Sequence, residues 1–218
     1  MTVTSALLSF AAVAALLTIV PGLDTAYVLR TAVVGGRRPA FAAALGIGTG
    51  SLAWGAAAAV GVSTLLTAST VAYTALRIAG ATYLIWLGAH MLHSTLAGPR
   101  RRRAPGTPAA RESGADERVG SRRAWARGAL TCLLNPKVGA FYIAVIPQFL
   151  PEQAPPLLMG LALALVHNAE GMLWFTALIL AAHGMRGWLR RPAVHRAIDR
   201  IAGTALIAFG LKLAASPR

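Results

Sequence analysis

The stretch Pro21-Gly22-Leu23-Asp24-Thr25-Ala26-Tyr27-Val28 lies inside the first long apolar run of the chain, residues 4–34. A proline within a helix removes a backbone donor and clashes with the preceding turn, so the sequence predicts a helix broken at Pro21. The run is also longer than the roughly 20 apolar residues that one straight membrane span needs. The carboxylate of Asp24 is therefore expected beside a helix break within the membrane.

A second stretch of the same kind is Pro136-Lys137-Val138-Gly139-Ala140-Phe141-Tyr142-Ile143, offset from the first by 115 positions (136 − 21). The proline and tyrosine match, and the residue after the tyrosine is β-branched in both. Chance similarity of short apolar segments is the alternative explanation. The match favours two three-helix halves, about residues 1–97 and 124–218. Halves with an odd number of spans are inverted relative to each other, an arrangement that is common among transporters.

Six apolar runs are long enough to cross a membrane as helices. They are residues 4–34, 39–66, 70–96, 125–150, 155–183 and 197–215. Of the 218 residues 56% are hydrophobic and only 13% are charged, too few polar residues to cover a soluble domain of this size. The prediction is an all-α integral membrane protein, a single transport domain over residues 1–218, with helices 1 and 4 broken at Pro21 and Pro136.

The net charge of +14 comes from basic residues grouped in short stretches between apolar runs, which is typical of topology signals rather than of a nucleic-acid groove. Lys and Arg are concentrated around the first, third and fifth loops, whereas the second and fourth loops contain none. The third loop is the long polar segment over residues 98–123. Because basic loops favour the cytoplasm, we predict a multi-pass plasma-membrane protein with both termini outside.

Ionisable residues at membrane depth are functional candidates, because burying a charge in lipid is costly. Asp24 and Lys137 have opposite charges and follow the two predicted breaks. Together with the exposed backbone groups of broken helices they suit a small zwitterion such as an amino acid. The alternative is a structural salt bridge between the halves. The other candidate substrate-binding residues are Pro21, Gly22, Tyr27, Asn135, Pro136 and Tyr142.

The fifth run contains a second candidate pair, Glu170 and His167, which lie three residues apart and therefore share a helix face. A buried carboxylate beside an imidazole is suited to carrying a coupling proton. The alternative is that these residues make a polar contact between helices and have no role in transport.

Few enzyme or cofactor signals occur in the sequence. Cys132 is the single cysteine, and the five histidines are scattered without the spacing of a metal site. No phosphate-binding loop or nucleophile elbow is present. The sequence therefore predicts a protein that is not an enzyme and has no metal or cofactor.

Four motifs, in order, resemble the LysE/RhtB family of amino-acid exporters: Val20-Pro21-Gly22-Leu23-Asp24-Thr25, Gly46-Ile47-Gly48-Thr49-Gly50, Ala79-Gly80-Ala81-Thr82-Tyr83-Leu84-Ile85-Trp86-Leu87-Gly88 and Leu134-Asn135-Pro136-Lys137. The resemblance covers nearly the whole chain. It implies efflux of amino acids or their derivatives, driven by the proton gradient. Family members often have a second proline where this chain has Leu23.

Other functions remain as alternatives to an amino-acid exporter. A metal-ion exporter of a related fold would need clustered His or acidic residues, and the segment 98–123 contains no His. A membrane thiol-redox protein would need a cysteine pair. A non-transporting scaffold would not need Asp24 and Lys137 in paired breaks. The expected partners are an amino-acid substrate and the lipid bilayer, and small-residue faces suit packing either within one subunit or in a homo-oligomer.

Overall fold

A computed structural model describes residues 2–96, 120–151, 153–182 and 192–215 of the chain. Every regular element in these ranges is helical. The predicted polar loop lies almost wholly outside the described residues. In chain order the helices are α1 Val3–Ile19, α2 Leu23–Val34, α3 Arg37–Ala68, α4 Thr70–Leu96, α5 Ser121–Leu133, α6 Pro136–Val145 followed by a 3₁₀ turn Ile146–Phe149, α7 Pro156–Ala181 and α8 Pro192–Ala215.

Both predicted helix breaks are confirmed. Helices α1 and α2 meet at 57° across residues 20–22, and α5 meets the segment Pro136–Phe149 at the same angle. Pro21 lies in the first break, whereas Pro136 is the first residue of α6. A proline is tolerated at the first position of a helix, because its missing donor has no helical partner there. The second bend therefore falls just before its proline.

Two predicted boundaries were wrong. The last helix begins at Pro192 rather than at residue 197, so Arg196, expected in a loop, lies within α8. Its polar first turns lack the apolar character used to define the span, but a proline start suits a helix N-terminus. Likewise, α5 begins at Ser121, so residues 121–123 of the predicted loop are helical.

Length and composition identify two to four membrane-spanning candidates within the described ranges. The segments Arg37–Gly61 and Pro156–Ala181 pass alone, and each of the two bent helix pairs passes when it is counted as one span. Helices α4 and α8, with 27 and 24 residues, are long enough to cross but are not among these candidates. The total of six spans therefore stays a prediction.

Glycines set the closest helix contacts. A side chain at Gly46 would collide with the carbonyl of Trp125 on α5, and one at Gly50 would lie 2.8 Å from the β-carbon of Cys132. Gly46 and Gly50, four residues apart, therefore allow α5 to approach α3 closely. Helix α7 lies against α3 in the same way, since a β-carbon at Gly55 would lie 2.8 Å from the Gly160 carbonyl.

Candidate functional site

A cavity of about 270 Å³ lies between the two helix breaks and the facing sides of α3 and α7. We call it the interbreak cavity. Its walls are mainly apolar, with a small set of polar groups, as is usual for small-molecule sites. The polar side chains that line it are Thr18, Asp24, Thr25, Thr49, Ser51, Cys132, Asn135, Lys137, His167 and Asn168.

Lys137 of the second break reaches into the first break. Its ammonium donates hydrogen bonds to the carbonyl oxygens of Leu17, at 3.3 Å, and Val20, at 3.1 Å. These carbonyls belong to the C-terminal end of α1, where helical partners are missing and the partial charge is negative. The exposed carbonyls at the end of α1 are therefore occupied by an ammonium group, that of Lys137.

Asn135 joins the two breaks through its side-chain amide. Its oxygen accepts from the backbone N–H of Lys137 at 3.1 Å and caps α6, while its Nδ2 donates to Asp24 Oδ2 at 3.1 Å. Asn135 is only 3% exposed, and both the oxygen and the nitrogen of its buried side-chain amide are hydrogen-bonded. The capping residue of one half-helix thus fixes the carboxylate of the other.

Asp24 keeps one acceptor for another group. Its Oδ1 is buried and has no hydrogen-bond partner within the described part of the chain. Asp24 and Lys137 interact electrostatically. Asp24 is the second residue of α2, and the N-cap of that helix, Gly22, makes no side-chain capping bond. A free carboxylate oxygen and an uncapped helix N-terminus therefore lie together beside the interbreak cavity.

Of the eight predicted substrate-binding residues, four line the cavity: Gly22, Asp24, Asn135 and Lys137. The other four lie around it. Pro21 and Pro136 lie at the breaks, and the two tyrosines bond to residues of other helices. Tyr27 donates to the Ala124 carbonyl at 3.2 Å, and the Tyr142 hydroxyl lies 2.9 Å from His167 Nδ1.

The two residues of the predicted proton-coupling pair both lie on α7 but differ in their relation to the interbreak cavity. His167 lines the interbreak cavity, held by its hydrogen bond to Tyr142. Glu170 is absent from the lining, and its Oε2 is buried without a hydrogen-bond partner in the described ranges. An unpaired carboxylate oxygen within an apolar helix is energetically unfavourable unless the group is neutral or changes partner during function. Their role in coupling stays a prediction.

Sequence reasoning missed the contribution of Asn168. Its Nδ2 donates to the Gly48 carbonyl at 2.9 Å, which joins α7 to α3 at the cavity wall. An amide in the middle of an apolar span was the available signal. Ser51 was missed as well: its hydroxyl donates to the Ile47 carbonyl at 2.9 Å beside Cys132, and nothing in the local pattern distinguishes it from a packing residue.

Across the residues that the structure describes, no group of three or more His, Cys, Asp or Glu side chains is close enough to hold a metal ion.

Comparison with known proteins identifies the family. The model of the LysE type translocators matches residues 15–216. The chain belongs to the LysE type translocator family. The resemblance seen in the four motifs is thereby confirmed. The members of this family are membrane transport proteins rather than enzymes.

Several relatives match this chain over most of its length and of their own. The threonine efflux protein of Escherichia coli strain K12 is 30% identical over 88% of this chain and 89% of its own. The homoserine/homoserine lactone efflux protein of Salmonella typhi is 29% identical over 92% of each chain. The membrane protein YrhP of Bacillus subtilis is 26% identical over 94% of this chain and 97% of its own. No solved structure matches the sequence.

Proposed function

We propose that this protein exports amino acids or related small zwitterions from the cytoplasm across the plasma membrane, in exchange for protons. The observation that carries the proposal is the meeting of Asp24, Asn135 and Lys137 on one cavity between two helix breaks. A volume of about 270 Å³ is close to the lower end of the roughly 300–1,000 Å³ range of small-molecule sites, as suits a substrate of amino-acid size.

The two ends of a zwitterion have matching groups in the interbreak cavity. The substrate ammonium binds the unpartnered Oδ1 of Asp24. The substrate carboxylate binds the Lys137 ammonium, aided by the uncapped N-terminus of α2. Lys137 then exchanges carbonyl partners on α1 for the substrate. The unpartnered Oδ1 supports a substrate role for Asp24, because buried polar groups are ordinarily hydrogen-bonded.

The names of the relatives support an amino acid as the substrate. Threonine and homoserine are both small zwitterions, and the proteins named for their efflux match this chain over most of its length. From these names we infer only the class of the substrate, which is an α-amino acid or a derivative.

The fold proposed for this activity has six membrane spans in two inverted three-helix repeats that form one domain. The equal bends of 57° support it. A second support is the contact between α4 and α8. A β-carbon at Gly88 would meet the Gly203 carbonyl, and one at Gly203 would meet the Gly88 carbonyl. These glycines are 115 positions apart (203 − 88), the same offset as that of the prolines, as expected beside a two-fold axis.

The proposed orientation has the arginine-rich end in the cytoplasm and both termini outside. The N-terminal parts of α3 and α5 lie side by side, because Ala43 packs on Gly128 and Gly46 on Trp125. Six exposed arginines are consequently grouped toward this end: Arg30, Arg37, Arg38, Arg122, Arg123 and Arg127. Such an accumulation favours the cytoplasmic side of a membrane.

Proton coupling is assigned to Glu170, assisted by His167. His167 lines the cavity and Glu170, one helical turn further on, has an unpartnered buried oxygen. Protonation of Glu170 neutralises its carboxylate and removes the free-energy cost of burying that charge. Binding and release of the proton therefore change the stability of the region around α7.

The test uses purified protein in lipid vesicles loaded with radiolabelled amino acids. Exchange is measured without a pH gradient, and uphill transport with one. We expect Asp24→Asn to abolish both activities and Glu170→Gln to abolish uphill transport while leaving exchange partly intact. Absence of exchange for every amino acid by the unaltered protein would contradict the proposed function. Normal uphill transport by Glu170→Gln would remove only Glu170 from the mechanism.

A further inference from the structure

One turn of helix α7 contributes an uncharged polar residue and a glycine to the wall of the interbreak cavity. Asn168 and Gly171 both line the cavity and lie three residues apart, so they share one face of the helix. Neither residue belongs to the two helix breaks that hold the charged groups. They are therefore suited to contact a part of the substrate other than its ammonium and carboxylate groups.

Asn168 is fixed in a way that leaves an acceptor available. Its Nδ2 donates to the Gly48 carbonyl at 2.9 Å, and a β-carbon at Gly48 would lie 3.4 to 3.6 Å from the atoms of the amide. The amide therefore lies flat against the glycine. Among the residues that the structure describes, none donates a hydrogen bond to the Asn168 Oδ1. It is available to accept a hydrogen bond from a bound molecule.

Gly171 provides space. A β-carbon built on it meets no atom of a neighbouring element within 4 Å, whereas most glycines of α3 and α7 are packed against another helix. Since Gly171 lines the interbreak cavity, a side chain there would occupy part of the space that the substrate would use.

Charge limits the substrate further. Among the described lining residues Asp24 is the only carboxylate, and the proposed function assigns it to the substrate's α-ammonium group. A second cationic group, as in a lysine side chain, would enter without a counter-ion, which is unfavourable in a poorly hydrated site.

We propose that Asn168 and Gly171 form the subsite for the substrate's side chain and select short, uncharged side chains that donate a hydrogen bond. The inference rests on the proposed function, because it assumes that the two breaks bind the amino-acid backbone groups. Gly171 sets the permitted size, and the Asn168 carbonyl oxygen recognises the donor. Both are specificity-determining residues rather than parts of the charged clamp.

Counterflow in lipid vesicles tests the subsite with three labelled amino acids. Threonine and valine have the same shape but differ by a hydroxyl group, and alanine is smaller than both. The unaltered protein should prefer threonine to valine by about two- to tenfold, the effect of one neutral hydrogen bond. Asn168→Leu, of similar volume, should reduce that ratio to near one. Lysine should exchange at less than about a tenth of the threonine rate.

Size selection is tested separately. Gly171→Val should lower the threonine-to-alanine ratio by at least about tenfold, the effect of one or two misfitting methyl groups in a pocket. Ala169→Val adds similar bulk on the exposed side of α7 and should leave the ratio unchanged. If Gly171→Val does not fold, Gly171→Ala tests the same space with a single methyl group.

The outcomes distinguish this inference from the proposed function. Amino-acid exchange by the unaltered protein, with unchanged selectivity in Asn168→Leu and in the Gly171 variants, would overturn the subsite alone. Lysine exchange equal to that of threonine would also overturn it. Absence of all amino-acid exchange would overturn the proposed function and the subsite together.

Discussion

The two helix breaks bend by the same 57° but are built from different groups. The first, at residues 20–22, exposes backbone groups. These are the carbonyls of Leu17 and Val20 at the end of α1 and the N-terminus of α2, where the N-cap residue Gly22 makes no side-chain hydrogen bond. The second offers side chains. Asn135 caps its own helix and, with Lys137, also reaches into the first break.

This difference indicates a division of roles between two breaks of similar shape. The second break is complete in itself, because Asn135 satisfies its helix N-terminus. The first is incomplete and is filled from the other half of the chain. Groups that are already satisfied hold the geometry, whereas groups left unsatisfied, such as Asp24 Oδ1, are the ones available to a substrate.

The largest effect is expected for Lys137→Met, which removes the link between the breaks. Two α1 carbonyls lose their donor, and Asp24 loses the neighbouring positive charge. Loss of one member of a buried charge pair costs roughly 3 kcal/mol or more. Vesicle transport should fall to background, and the melting temperature in detergent should fall as well. Arg127→Met, which removes an exposed cation on α5, is the matched control and should change neither.

The double variant Asp24→Leu/Lys137→Met tests whether the two charges bind the substrate or only stabilise the structure. Removing both charges should recover much of the stability lost in Lys137→Met, since no unpaired charge stays buried. If the charges bind substrate, the double variant folds and remains inactive. Export near the original rate in this variant would defeat the clamp.

An intermediate effect is expected for Asn135→Ala, which makes the second break resemble the first. The variant loses the N-cap of α6, worth about 1 kcal/mol, and the hydrogen bond to Asp24 Oδ2. Thermal unfolding should show the loss, and substrate affinity should fall several-fold because the carboxylate is less well positioned. Asn135→Ser distinguishes the two roles: its hydroxyl retains the cap of α6, but its shorter side chain does not reach Asp24. Full transport by Asn135→Ala would show that the carboxylate needs no such positioning.

The smallest effect on stability is expected for Gly22→Ser, which gives the first break the side-chain cap that the second has. Gly22 has φ −137°, which any residue adopts, and a β-carbon there would be 3.7 Å from the Lys137 ammonium, an ordinary contact. Stability should rise by a few tenths of a kcal/mol. Transport should nevertheless decline, because the new hydroxyl competes for the N–H groups proposed for the substrate carboxylate. Gly22→Ala, which adds bulk without a cap, is the control. Unchanged transport in Gly22→Ser would exclude a role for these N–H groups.

The breaks and their charged residues were predictable from the sequence because their signals are local. A proline within an apolar run stops a helix, and a charge in such a run requires a partner. Asp24, Asn135 and Lys137 could therefore be identified without a structure. The apolar runs also located every helix within the described residues, although the polar first turns of α8 fell outside the pattern.

The partners of these residues were not predictable, because they depend on contacts between distant parts of the chain. The matching positions of Tyr27 and Tyr142 suggested one shared role, yet one contacts the Ala124 carbonyl and the other His167. The pairing of Asn168 with Gly48 spans 120 positions and depends on how α7 lies on α3. The hydrophobic pattern of α3 or of α7 alone does not predict this hydrogen bond.

The hydrogen bond from Lys137 to Val20 also has a consequence for biosynthesis. The two residues are 117 positions apart, so the first break leaves the ribosome well before the group that completes it. At ordinary translation rates the delay is roughly 5–25 s. During that interval the nascent first half has two unfilled carbonyls and a carboxylate without its cation. Water, lipid headgroups or the insertion machinery must solvate them until the second half arrives.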